Sequence, residues 1–179
     1  MSKLVHAPGK RLYLIVTIIV IALDQLTKAI ISNTLYLHET RPVIDNLFNI
    51  VHTRNSGAVF GLLQDAPYPL LPAILTLLSL AALMLVAWFF HRCSPLDRMN
   101  LFGLSLILGG AVGNIIDRLV RGSVVDFLDF YIGSYRWPAF NVADSCICVG
   151  IGLLILRSIH LPAAGSDSTI EAPNGRAIR

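Results

Sequence analysis

The chain has 179 residues, of which 55% are hydrophobic and only 14% charged, and its mean hydropathy is +0.68. A soluble domain carries about 25% charged residues because water meets its whole surface, so this composition excludes the ordinary soluble class, along with disorder, coiled coil and collagen. The net charge of +3 does not indicate nucleic acid, because the basic residues sit singly at the ends of apolar runs and form no stripe.

In chain order, the first apolar run goes from Leu12 to about Ile31 and contains Asp24, Gln25 and Lys28. Lys3, Lys10 and Arg11 precede it, as at the start of a secretory signal, but no small-x-small cleavage site follows, so the run is expected to be retained. The second, Leu70 to Phe90, carries no charge. The third, about Leu101 to Val120, is charged only at Asp117 and Arg118; the fourth, about Phe140 to Ile159, only at Asp144 and Arg157. Each is about 20 residues, enough to cross ~30 Å of hydrocarbon at ~1.5 Å per residue. The expected fold is therefore a membrane all-α protein with four transmembrane helices.

Four spans put both termini on one side. With the termini cytoplasmic, the inside segments carry Lys3, Lys10, Arg11, Arg92, Arg98, Arg157, Arg176 and Arg179. The outside loops carry Arg41, Arg54, Arg121 and Arg136, and this asymmetry favours cytoplasmic termini. The link His91 to Asn100 is short and broken by Pro95. The first outer loop, about 32–69, is too long for a turn and too apolar for disorder. Its stretch Leu47 to Thr53 predicts a small sheet on the outer membrane surface. The second outer loop, Arg121 to Pro138, holds Phe127, Phe130, Tyr131, Tyr135 and Trp137, which suits an interfacial aromatic belt. Residues 161–179 read as an unstructured tail behind a single domain over 1–160.

Burying a charge costs several kcal/mol unless it is paired, so ionisable residues in or beside the spans carry the functional information. These are Asp24, Lys28, Asp117, Arg118, Asp126, Asp129 and Asp144. Nearly all fall toward the outer end of a span, and independent structural pairs would have no need of a common depth. Asp24 and Lys28 are four apart and share a helical face, as do Asn114 and Arg118. Gly109-Gly-Ala-Val-Gly113 is small on more than one face, which lets another helix or an extended peptide approach. Asp126 stands in the strand-like Val124-Val-Asp-Phe127, and Asp144 lies in the first turns of the fourth span on the same side. Two converging carboxyls share a proton, so one can activate water while the other hydrogen-bonds a carbonyl. Asp129 is the rival for the first position and is expected to be solvated.

The five histidines have no metal-ligand spacing, and none is placed to activate Ser123 or Ser145. The three cysteines form no disulfide framework; Cys146 and Cys148, two apart on a helix, face apart and read as packing residues. On these grounds alone a peptidase, a proton-coupled transporter and a lipid-binding protein all fit.

Five motifs stand in order: Asp24-Gln-Leu-Thr-Lys28, Asn55-Ser-Gly-Ala-Val-Phe60, Gly109-Gly-Ala-Val-Gly-Asn-Ile-Ile-Asp-Arg118, Val124-Val-Asp-Phe127 and Phe140-Asn-Val-Ala-Asp144. Together they resemble the bacterial lipoprotein signal peptidases, signal peptidase II, over about Leu12 to Arg157. The resemblance implies an aspartyl endopeptidase of the inner membrane with its site at the periplasmic face. It would cleave prolipoproteins just before a diacylglyceryl-modified cysteine. It implies a catalytic dyad at Asp126 and Asp144. Asn114, Arg118, Asn141 and Ala143 would line the site, Asp24 and Lys28 would support the outer loop, and Asn55 and Gly57 would lie in the surface sheet over the cleft. It further implies no metal or cofactor, contact with membrane lipids, and inhibition by globomycin-type cyclic peptides; the chain is expected to be a monomer. A transporter would instead place acidic residues at several depths with an inverted repeat, and a lipid-binding protein would not need both Asp126 and Asp144.

Overall fold

The computed structural model describes residues 9–56 and 71–160. Gly57, with the rest of 57–70, and the expected tail at 161–179 lie outside the described residues. The elements run α1 (Lys10–Thr34), β1 (Thr40–Ile44), β2 (Phe48–Asn55), α2 (Leu71–Arg92), α3 (Arg98–Arg121), β3 (Val124–Ile132), β4 (Tyr135–Arg136) and α4 (Val142–His160). All four helices are long and apolar enough to cross a membrane.

The bundle is built around α3. Two thirds (67%) of its most apolar window is buried, against 22% in α1, 6% in α2 and 11% in α4. The other three helices turn large apolar side chains outward, among them Ile18, Leu26, Leu77, Met84, Val149 and Ile155, so lipid must complete the packing. Glycines explain why α3 is central. A Cβ on Gly110 would overlap the Ala143 carbonyl of α4, and one on Gly113 would sit 2.5 Å from an Asp24 carboxylate oxygen of α1. Only the missing side chains let these backbones come so close.

α2 packs chiefly on α3, at the end away from the sheet. There Phe90 joins Tyr13, Leu101, Leu104 and Leu108 in a buried cluster backed by Leu83, Val86 and Cys93. The Lys10 ammonium also donates to the Phe90 carbonyl at 3.1 Å, satisfying an orphan acceptor of the last turn of α2. Asp97 caps α3 by accepting the Asn100 N–H and pairs with Arg157 at 3.1 Å. Gly122, in the left-handed region at φ 73°, ends α3 and turns the chain directly into β3.

The sheet differs from the expected one. It is a four-stranded antiparallel sheet in the order β1-β2-β3-β4, so both sheet-end loops contribute to it. The second loop is a strand pair and not simply an aromatic belt. β3 is legible in the sequence only as a strand-like flank of Asp126, because its inner residues are apolar on both faces. Val124, Val125, Asp126 and Phe127 are all buried, and β2 pairs Thr53 with Asp126 and Asn55 with Val124. A second buried cluster of Ile31, Leu35, Val125 and Phe127 fastens the sheet to the end of α1.

Candidate active site

Asp126 projects from β3 just past the end of α3, and Asp144 from the first turn of α4. Two amide side chains connect them. Asn141 Nδ2 donates to Asp126 Oδ1 at 2.7 Å and lies 3.3 Å from Asn114 Oδ1, while Asn114 Nδ2 donates to Asp144 Oδ1 at 2.8 Å. Asn55 Nδ2 adds a donor to Asp126 Oδ2 at 3.1 Å. Asn141 also caps α4: its Oδ1 accepts the Asp144 backbone N–H at 2.9 Å. Burial, then the neighbouring Asp144 charge, pushes the Asp126 carboxyl up to about 7, against the Asn55 and Asn141 hydrogen bonds and the Lys28 charge. The two carboxyls thus share one partly apolar, amide-bridged setting, an arrangement suited to acid–base work.

Behind them lies a fully buried charge cluster. Lys28 Nζ pairs with Asp24 at 2.8 Å and Asp117 at 3.1 Å and donates to Asn114 Oδ1 at 2.9 Å. Asp117 also accepts from Arg121 and from Gln25, whose amide reaches the Gly113 carbonyl at 3.1 Å. The Asp24–Lys28 pair therefore grips α3 and, through the Ala143 N–H, α4. Among the described residues the contacts of this pair go to these helices. The side chain of Ala143 is buried and its peptide N–H is what the cluster uses.

Asp126 and Asp144 open onto one cavity of about 870 Å³. Asn55, Asn114 and Arg118 line the same polar end, and Arg118 faces both carboxylates. The rest of the wall is apolar, from Leu85 and Phe89 of α2 through Leu104 and Ile107 of α3 to Ile151 and Leu154 of α4. Cys93 and Cys148 are part of this wall. Among the described residues no three His, Cys, Asp or Glu side chains group closely enough to hold a metal ion.

Asp129 is not solvated, contrary to the expectation from its position in the chain. It is 2% exposed, accepts from Asn49 Nδ2 at 2.8 Å and pairs with Arg136 at 3.2 Å. Strand alternation turns it to the face opposite Asp126, where it ties β2 to β4. Gln25 and Arg121 are site members that the sequence alone does not single out. A signal for Arg121 exists, since it stands four residues after Asp117, but Gln25 joins that pair only across helices.

An apolar bundle with two buried carboxyls at one end of an apolar cavity defines a membrane-type protein with a candidate acid–base site. Residues 16–160 match the family described as "Signal peptidase (SPase) II". Lipoprotein signal peptidases of Syntrophotalea carbinolica and Desulforapulum autotrophicum are 47% and 50% identical to this chain over 146 residues, covering 82% and 81% of it and 89% and 90% of their own lengths. A solved structure titled as a bacterial membrane enzyme superposes with a TM-score of 0.73 at 29% identity, covering 92% of this chain and 94% of its own. A second such structure gives 0.72 at 31%, covering 83% and 92%. The chain belongs to the signal peptidase II family: it is an aspartic endopeptidase and a multi-pass bacterial membrane protein.

Proposed function

We propose that this enzyme removes the signal peptide from prolipoproteins by cleaving immediately before a diacylglyceryl-modified cysteine, with Asp126 and Asp144 as its catalytic dyad. The observation that carries the reading is that both carboxyls line one end of a single apolar cavity and are bridged by Asn141 and Asn114. The cavity wall from Asn100 to Arg118 of α3 is about 27 Å long at the helical rise, a length that suits the apolar helix of a signal segment. The scissile peptide then meets the dyad at the border of the bilayer, where water has access.

The ionised carboxylate takes a proton from water as the water oxygen attacks the scissile carbonyl carbon. The protonated partner donates a hydrogen bond, then its proton, to the carbonyl oxygen. Collapse of the tetrahedral intermediate breaks the C–N bond. In that collapse a hydroxyl of the intermediate gives its proton back to the second carboxylate as the C=O re-forms, and the amine leaves with the proton held by the first carboxyl, so the dyad again holds one proton. Arg118 and Asn114 fix the carboxylates and the substrate backbone, and Asn55 belongs to the edge covering the cleft.

The excess of Lys and Arg in the segments read as cytoplasmic supports an orientation with both termini inside. The dyad and sheet then face the periplasm at the inner membrane, in contact with membrane lipids. The enzyme acts as a monomeric domain over 1–160 with a tail at 161–179, uses no cofactor, binds no nucleic acid, and is inhibited by globomycin-type peptides at the dyad. The test is cleavage of a diacylglyceryl-modified precursor by purified protein in detergent, with an unlipidated precursor as control. Asp126→Asn and Asp144→Asn should each lose roughly 100- to 10,000-fold in kcat while remaining folded. Asp129→Asn should stay active. Wild type that folds but does not cleave would remove the proposal.

A further inference from the structure

The buried charges behind the dyad are arranged with a symmetry that the peptidase chemistry does not itself require. Lys28 is fully buried between two fully buried carboxylates, Asp24 of α1 and Asp117 of α3. Each of these also accepts one peptide N–H. Asp24 Oδ1 accepts from Ala143 at 3.0 Å, and Asp117 Oδ2 accepts from Val125 at 3.0 Å. Ala143 immediately precedes Asp144, and Val125 immediately precedes Asp126. Each carboxylate partner of Lys28 thus holds the peptide next to one member of the dyad. Arg121, a quarter exposed, completes the set against Asp117 from the rim, so two anions meet two cations. Removing one member of such a cluster would strand a charge.

We infer that Asp117 is a positioning residue for the reaction: with Lys28 as common counter-ion, it holds the Val125–Asp126 peptide in register with the Ala143–Asp144 peptide held by Asp24. The inference rests on the dyad reading above. Its physical reason is that the backbone bonds joining β3 to the segment before α4 are made at Phe127, Leu128 and Phe140, to one side of the dyad, so the Asp126 and Asp144 peptides on the other side need side chains to fix their register. A shared proton needs its two oxygens held within about 0.5 Å of the working geometry. Asn114 lines the cavity and, with the buried Asn141, bridges the carboxyls, while the Asp24–Lys28–Asp117 set fixes the backbones. Asp117 meets none of the reacting atoms and acts only through Val125 and Lys28.

The two conservative substitutions separate charge from geometry. In Asp117→Asn, an amide NH₂ faces donors whichever way it turns: Arg121 and Gln25 on one side, Lys28 and the Val125 N–H on the other. Asp117→Glu keeps the charge but moves the acceptor by a methylene. Wild type, both variants and Asp126→Asn would be assayed as purified full-length protein in detergent with a diacylglyceryl-modified precursor. Readouts are kcat, KM, the pH profile and thermal unfolding.

The expected result is a loss of roughly 10- to 100-fold in kcat for both Asp117 variants, with KM little changed. The pH profile should divide them. Asp126 faces Asp144 from α4, Lys28 from α1 and Arg118 from α3, with the neutral Asn55 and Asn141 beside it. Taking the charge off Asp117 leaves Lys28 less neutralised, so Asp126 ionises more easily. The alkaline limb should therefore move to lower pH in Asp117→Asn and stay in place in Asp117→Glu.

Asp117→Glu with wild-type kcat overturns the inference, because a mere counter-ion role tolerates that change; so does an Asp117→Asn loss that only tracks the folded fraction. Should Asp117→Asn fail to fold, Asp117→Glu decides alone. Wild type that does not cleave, or an active Asp126→Asn, would instead sink the dyad reading.

Discussion

Asn141 donates to Asp126 through Nδ2 and accepts the Asp144 N–H through Oδ1, so one amide caps α4 and bridges the dyad. These roles can be separated. Asn141→Ala should cost about 1 kcal/mol of stability through the lost cap, whereas Asn141→Ser keeps a capping oxygen and should recover most of that. Neither supplies the amide donor, so both should cleave slowly, which thermal unfolding and the precursor assay would resolve side by side. Asp126 allows a second test. Its carboxyl is held at about 7 in the folded protein, above its ordinary value of 3.8. A raised folded pKa means the native state binds the proton more tightly, so the associated stability is present in acid and fades as pH rises from about 4 through 7. The loss is on the order of 1.4 kcal/mol for each pH unit crossed in that window. Asp126→Asn should therefore unfold at a higher temperature than wild type at pH 8, with the gap closing toward pH 4. Activity should fall on the alkaline side of about pH 7 as the pair gives up its last proton.

At the scale of elements, the close contact of α3 with α4 is the one on which catalysis depends most. Gly110 lies against the Ala143 carbonyl, a backbone atom that cannot swing aside. Gly110→Ala should cost about 1–3 kcal/mol and reduce cleavage, because pushing α4 away displaces Asp144. Gly113→Ala meets the Asp24 carboxylate, which Lys28 and the Ala143 N–H hold in place, so it should also destabilise the fold and should lower kcat at least as far as Gly110→Ala. Melting curves and kcat for the pair would check the order. The helices themselves were legible from unbroken apolar runs of bilayer length, and the observed spans differ from the expected ones by a few residues at their ends. The sheet was legible only in part. β2 showed itself as a β-like stretch from Leu47 to Thr53, but the inner part of β3 is buried on both faces and its apolar run merges with the polar ends around it. That its partner is β2 depends on where α1 and α3 deliver their chain ends.

For the whole molecule, orientation is the property to test. In a background with Cys93, Cys146 and Cys148 replaced, a membrane-impermeant thiol reagent on cells with a permeabilised outer membrane should label Tyr36→Cys, in the exposed turn before β1, and spare Ser94→Cys in the α2–α3 link. Labelling at Ser94→Cys alone would invert the topology. The amino-acid sequence by itself determined the solvent, the number of spans and the shared depth of the ionisable residues, because these follow from transfer free energy summed along the chain. It also carried the order of motifs that resembles one peptidase family, and the i,i+4 pairing of Asp24 with Lys28. Which buried charges meet across helices was decided only by tertiary structure. Asp117 joins Lys28, Val125 and Arg121, Asp24 takes the Ala143 N–H, and Asp129 turns away from the dyad to Asn49 and Arg136. Those partnerships depend on helix rotation and on ångström-scale approach at Gly110 and Gly113, quantities that no local pattern encodes because they arise from how the elements pack on one another.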